Sequence, residues 1–173
     1  VRNRSNGSTA YELSRLARQA LKRLTAQEKP WFLWVHYSEP HAEYLPHPGY
    51  EFGDDLVGLY DGEIAYADQA LSLLLNRLRD GGNAENTIVV VTSDHGEAFG
   101  EHGVFTHGQS LFVEEVHVPL VIHLPHGKGV APLAKRISDP MDLTDVAPTL
   151  LDALGLKALY PMHGESLLPR AIA

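Results

Sequence analysis

Between Thr87 and Ser93 the chain reads Thr-Ile-Val-Val-Val-Thr-Ser and then runs straight into Asp94-His95-Gly96-Glu97. A β-branched run of that length is a strand signal. Nothing polar breaks it, so it is expected to be buried. In open α/β sheets the ligand site lies beyond the carboxyl ends of the strands, which places Asp94 and His95 where chemistry is usually found. Gly96 suits a backbone that must turn sharply once those side chains are set.

The surrounding pattern predicts an α/β fold with a mostly parallel sheet and flanking helices. Leu13, Leu16, Ala17, Ala20, Leu21 and Leu24 recur at helical spacing over 8–26, with Thr9 and Glu12 as a capping box. Trp31 to Tyr37 is a continuous apolar and aromatic run that reads as a buried strand. A helix over 56–80 carries Tyr60, Ile64, Ala67, Leu71, Leu74 and Leu78 on one stripe and stops at Gly81-Gly82. A short helix near Ser110–Glu115, a strand over 119–124 and a helix over 143–154 follow, then a loop and a short closing segment. Helices between strands imply parallel crossovers. At 173 residues the chain is one domain's worth, with no separate second domain expected.

Composition narrows the function classes. Fourteen Lys and Arg against 22 Asp and Glu give a formal charge of −8, which argues against nucleic acid as a partner. No apolar run approaches the roughly 20 residues of a membrane-spanning helix. With no cysteine there is no disulfide, thiolate zinc site or cysteine nucleophile, and localisation stays open. The ten His invite a search for metal or anion chemistry, and a chain that opens on Val is expected to be cut from a longer one.

An isolated Asp-His pair would be read as a turn cap beside a solvated imidazole. Here Glu97, Glu101, His102 and His107 follow Asp94 closely, with Gly96, Gly100 and Gly103 between them, a density that a plain surface loop does not need. A carboxylate with an imidazole suits Zn or Mn, while oxygen ligands alone suit Ca or Mg.

The stretch SDHGEAFGEHGVFTHGQSLFVEEVHVPLVIHLP resembles the second half of the sulfatase family, within the alkaline-phosphatase superfamily. It carries an Asp-His pair, a Gly-Glu-His-Gly loop, a His-Gly where the family has Lys or His, a Glu-Glu helix and a Val-Pro entering a strand. PWFLWVHYSEPHAEY, YDGEIAYADQALSLLLNRL, DLTDVAPTLLDALGL and HGESLLP are similar to further family segments, so the resemblance covers about residues 8–169. It implies an alkaline-phosphatase-like fold, present as the C-terminal part of the domain. It also implies that Asp94 and His95 bind the catalytic divalent metal, with Ca first and Mn or Zn as alternatives. His41, in the Pro-His segment, and His107 are implied as contacts to the sulfate oxygens. Donors aimed at those oxygens stabilise the charge that develops on them. An imidazolium at His107 would also suit protonation of the leaving alkoxide.

Two departures stand out. The chain has Pro40-His41-Ala42-Glu43-Tyr44 where many members have Pro-His-x-Pro-Tyr. It also lacks the Cys/Ser-x-Pro-x-Arg motif whose Cys or Ser becomes formylglycine, and the family's N-terminal Asp pair. Those parts are expected on a missing N-terminal half, which would be the partner of this chain beside a sulfate ester substrate. Taken alone, the chain is expected to be inactive. A phosphodiesterase or phosphonate monoester hydrolase of the same superfamily is an alternative, as is a non-catalytic metal-binding or interaction module.

Other residues read as structural. His36 is expected in the core or supporting a neighbour. His102 stays open between a substrate contact and a structural hydrogen bond. His47, His117, His123, His126 and His163 are read as non-catalytic. Glu63, Asp68 and the Glu114-Glu115 pair are read as solvated helix faces.

Overall fold

The computed structural model describes residues 9–125 and 135–172. The chain divides into two compact units, Val1–Ala84 with Glu97–Val116, and Glu85–Gly96 with His117–Ala173.

In the first unit, helices α1 (Ala10–Thr25) and α2 (Leu56–Asp80) pack on each other. Their contact buries Ala17, Leu21, Ala70, Leu74 and Leu78, while Leu16 and Ile64 from the expected stripes stay exposed. Ser14 is buried at the same contact, where its hydroxyl donates to the Ala70 carbonyl at 2.6 Å and meets the Tyr37 hydroxyl at 2.7 Å. The small residues Gly58 and Gly62 let the 45–55 loop lie on α2. A Cβ on Gly58 would sit 2.6 Å from Gly53 Cα, and one on Gly62 would sit 2.8 Å from the Tyr50 carbonyl oxygen.

The α1 N-terminus corrects the expected capping box. The Thr9 side chain makes no cap bond to the helix, and Glu12 pairs instead with Arg15 at 2.7 Å. The cap comes from 30 residues downstream: buried Glu39 accepts the N–H groups of Thr9 at 2.5 Å and Ala10 at 3.0 Å. A carboxylate there satisfies orphan donors and faces the positive end of the helix dipole. Glu39→Ala is expected to cost about 1–2 kcal/mol in a denaturant melt, whereas Glu12→Ala stays within about 0.5 kcal/mol. The reverse order would restore the local capping box.

The hairpin β2 (Ala98–Phe99) and β3 (Phe105–Thr106) and the short helix α3 (Val113–Val116) complete this unit. In the second unit β1 (Val89–Thr92) pairs antiparallel with β4 (Leu120–His123), with Thr92 opposite Leu120 and its hydroxyl donating to the Pro119 carbonyl at 2.8 Å. Parallel pairing was the expectation, yet both ladders are antiparallel. Between β1 and β4 the chain offers only a two-residue-strand hairpin and a four-residue helix, not a crossover helix.

The expected strand at 31–37 carries no ladder among the described residues. Its side chains still alternate between part-covered and exposed, the period of a strand, with Phe32 and Trp34 each 75 % exposed. His36 falls on the exposed set, so it is not a core residue.

The remainder of the second unit folds onto helix α4 (Val146–Ala153). A 3-10 turn, Leu143–Asp145, precedes it, with a capping box between Asp142 and Asp145. Buried Thr149 donates to the Asp145 carbonyl at 2.6 Å and accepts the Leu167 N–H at 2.9 Å. Asp145 also accepts the Glu165 N–H at 2.8 Å, which ties down the loop before α5 (Leu168–Ile172).

Candidate active site

His41 and His107 both belong to the first unit, and their rings meet edge-on with centroids 5.0 Å apart. His41 lies exposed on the Pro-rich loop, and its Nδ1 is 2.8 Å from the Ala42 carbonyl. A carbonyl oxygen only accepts, so Nδ1 carries the proton and Nε2 is the other functional atom.

His107 follows the β2–β3 hairpin, and its Nδ1 lies 3.1 Å from Glu97 Oε1. Glu97 is buried beneath it, and its Oε2 accepts the Tyr44 hydroxyl at 2.5 Å. Tyr44 packs edge-on against Tyr60, with Phe99 beside both rings. Burial, and then donation to Glu97, push the Tyr44 phenol well above its usual range; burial followed by the nearby Glu97 raises Tyr60. The Tyr44 phenol stays protonated as the donor to Glu97. Sequence reasoning passed over Glu97 as a member of a dense acidic loop.

Asp94 and His95 belong to the second unit, on the turn that leaves β1. The His95 Nδ1 is 2.9 Å from the Gly96 carbonyl, and the Ser93 hydroxyl donates to the His95 carbonyl at 2.7 Å. The first bond requires a proton on Nδ1, so in the neutral ring the lone pair lies on Nε2. That nitrogen lies 3.9 Å from Asp94 Oδ1, with the Asp94 side chain 70 % exposed. Two donors each about 2.0–2.2 Å from one ion can be separated by no more than about 4.4 Å, so the pair fits a shared divalent cation. A carboxylate with an imidazole is a fitting donor set as well.

Several other readings change. The His102 Nδ1 lies 2.5 Å from Glu114, and its ring stacks on Phe112 at 4.1 Å. That is the structural hydrogen bond, and it holds the Glu114 carboxyl below its usual range. Glu115 is buried rather than solvated: the Ser110 hydroxyl and the Gln109 and Ser110 N–H groups all donate to it. The Ser110 hydroxyl is the first cause of its lowered pKa.

Glu63 is also fully buried, accepting the Leu45 N–H at 2.9 Å. His47 stacks on Tyr66 with its Nε2 3.6 Å from Glu63. His117 and His163 are exposed and Asp68 is a solvated helix residue, while His126 lies outside the described residues.

Comparison with known proteins bears on this arrangement. The family model for Sulfatase matches residues 3–156. Arylsulfatase K of Danio rerio is 36 % identical over 115 residues, covering 66 % of this chain and 21 % of that protein. A protein of the alkaline phosphatase superfamily from Vibrio parahaemolyticus has a similar structure, with a TM-score of 0.69 and 29 % identity over 95 % of this chain and 38 % of the other. Phosphonate monoester hydrolase of Agrobacterium radiobacter gives a TM-score of 0.58 and 28 % identity, covering 90 % of this chain and 30 % of that one. The chain thus spans between about a fifth and two fifths of the proteins it matches.

Proposed function

This chain belongs to the sulfatase family, and on that premise we propose that the complete protein is a metal-dependent sulfuric ester hydrolase to which the chain contributes part of the catalytic apparatus. Asp94 and His95 hold the divalent cation, with Ca²⁺ first and Mn²⁺ or Zn²⁺ as alternatives. His41 and His107 contact the sulfate oxygens. The nucleophile, a formylglycine on this reading, lies elsewhere in the domain.

The observation that carries the reading is the His95 ring. Its Nδ1 is held by the Gly96 carbonyl, and its Nε2, which carries the lone pair in the neutral ring, lies 3.9 Å from Asp94 Oδ1 at the end of β1. A bound divalent cation would polarise the ester oxygens and offset the charge that grows on them. With Nε2 protonated as well as Nδ1, His41 and His107 would stabilise the same kind of charge by donating from Nε2, which is most effective where water is excluded.

The likeness to a phosphonate monoester hydrolase supports a second reading, hydrolysis of phosphate diesters or phosphonates with the same Asp-His pair. Turnover of p-nitrophenyl sulfate, p-nitrophenyl phosphate and a phosphonate monoester by the complete protein separates the two. The sulfate ester is expected to be preferred, with activity lost in chelator and restored by one of Ca²⁺, Mn²⁺ or Zn²⁺. Preference for the phosphonate would favour the second reading, and full activity in chelator would remove the metal from both. The isolated chain should bind metal weakly and turn over none of these esters. A catalytic ion usually keeps at least three protein ligands, and this reading assigns two here.

A further inference from the structure

We propose that Glu97 is the positioning residue for His107: its carboxylate sets the orientation and tautomer of the imidazole. The inference rests on the reading of His107 as a sulfate contact. Glu97 occupies the second position after His95 yet folds into the first unit, where its side chain is only 3 % exposed. Each of its oxygens has a different partner. Oε2 takes the Tyr44 hydroxyl at 2.5 Å, and Oε1 faces His107 Nδ1 at 3.1 Å.

A carboxylate already gripped from one side cannot rotate to follow the imidazole, so it dictates where the ring lies. Because it only accepts, it also dictates which nitrogen carries the proton. With Nδ1–H turned to Glu97, Nε2 becomes the atom His107 presents to a ligand, and it donates to an anion when it too carries a proton. Tyr44 holds the carboxylate in its turn, wedged by Tyr60 and Phe99. The chain Tyr44–Glu97–His107 therefore pre-sets a side chain that would otherwise lose rotamer entropy each time it met a ligand.

Glu97→Gln keeps the shape of the side chain but puts a donor at one of the two oxygen positions, so either Tyr44 or His107 loses its acceptor. In the complete protein, kcat for p-nitrophenyl sulfate is expected to fall about 10–100-fold, as when the partner of a functional imidazole is removed, with KM little changed. In a His107→Ala background the same change should cost nothing more, since Glu97 would act only through that ring. Tyr44→Phe, which keeps the packed ring, should give a smaller fall of the same kind. Long-range ¹H–¹⁵N spectra should show a proton on His107 Nδ1, with that population reduced in Glu97→Gln. If Glu97→Gln lowers kcat equally with and without His107, or His107→Ala lowers kcat and Glu97→Gln does not, Glu97 is not the positioning residue. If His107→Ala itself leaves kcat unchanged, the failure lies in the role assigned to His107.

Discussion

Asp94→Ala in the complete protein is expected to abolish metal-dependent ester hydrolysis while leaving the fold intact. The Asp94 side chain is 70 % exposed on the turn after β1. Truncating an exposed side chain away from caps and cores usually changes stability by no more than about 0.5 kcal/mol. The chemical loss is of another order. Removing a mere supporting partner of a metal ligand already costs about 10–100-fold in affinity or activity. Asp94 would be a ligand itself and the sole carboxylate of the pair, so its removal strips both an oxygen donor and the negative charge facing the cation. The check is twofold: turnover across a titration of Ca²⁺, Mn²⁺ and Zn²⁺, and a thermal melt beside the parent. Retained turnover at ordinary metal concentrations would remove Asp94 from the site. A large drop in melting temperature would instead mark it as a structural residue.

What the sequence disclosed follows from the range over which each signal acts. Helices α1, α2 and α4 were legible because their apolar spacing and stop signals are local. β1 was legible because four consecutive β-branched residues leave little else for the backbone to do. The helix α1 cap was not legible, since its acceptor, Glu39, lies 30 residues away and only the folded chain brings them together.

Buried acids were hidden for the same reason. Glu63 and Glu115 look like solvated charges in a one-dimensional reading and Glu97 like one member of a dense polar loop, and each turns out to be buried with hydrogen-bond donors supplied by a loop. Burial of a carboxylate is tolerated only with such partners, and the partners are set by tertiary structure. Strand direction was misjudged because periodicity cannot see whether a connection is a crossover helix or a hairpin. At the site, the residue types and their order were readable from the Asp-His and Pro-His segments. The hydrogen bonds that choose between the two ring nitrogens of each His were not.

His107→Ala in the complete protein is expected to lower kcat for a sulfate ester about 10²–10³-fold, the loss typical of removing one donor from a developing oxyanion. The residue is suited to that task by its setting. Its side chain is 24 % exposed, so one edge meets solvent or ligand while Nδ1 is engaged with Glu97. Alanine would leave the Glu97 carboxylate without the imidazole, and an anion arriving nearby would meet an uncompensated negative charge instead of a donor. That repulsion acts on bound substrate and transition state alike, so KM should rise as well. The transition state carries more charge on its oxygens, so kcat should fall further than KM rises. His41→Ala offers the comparison. Its ring is 5.0 Å from His107, and its Nδ1 bonds a backbone carbonyl where His107 Nδ1 faces a buried carboxylate. A smaller change in KM is expected there. Equal KM effects in the two variants would mean that the charge left on Glu97 is not felt by the substrate, and an unchanged kcat in His107→Ala would take that residue out of the mechanism.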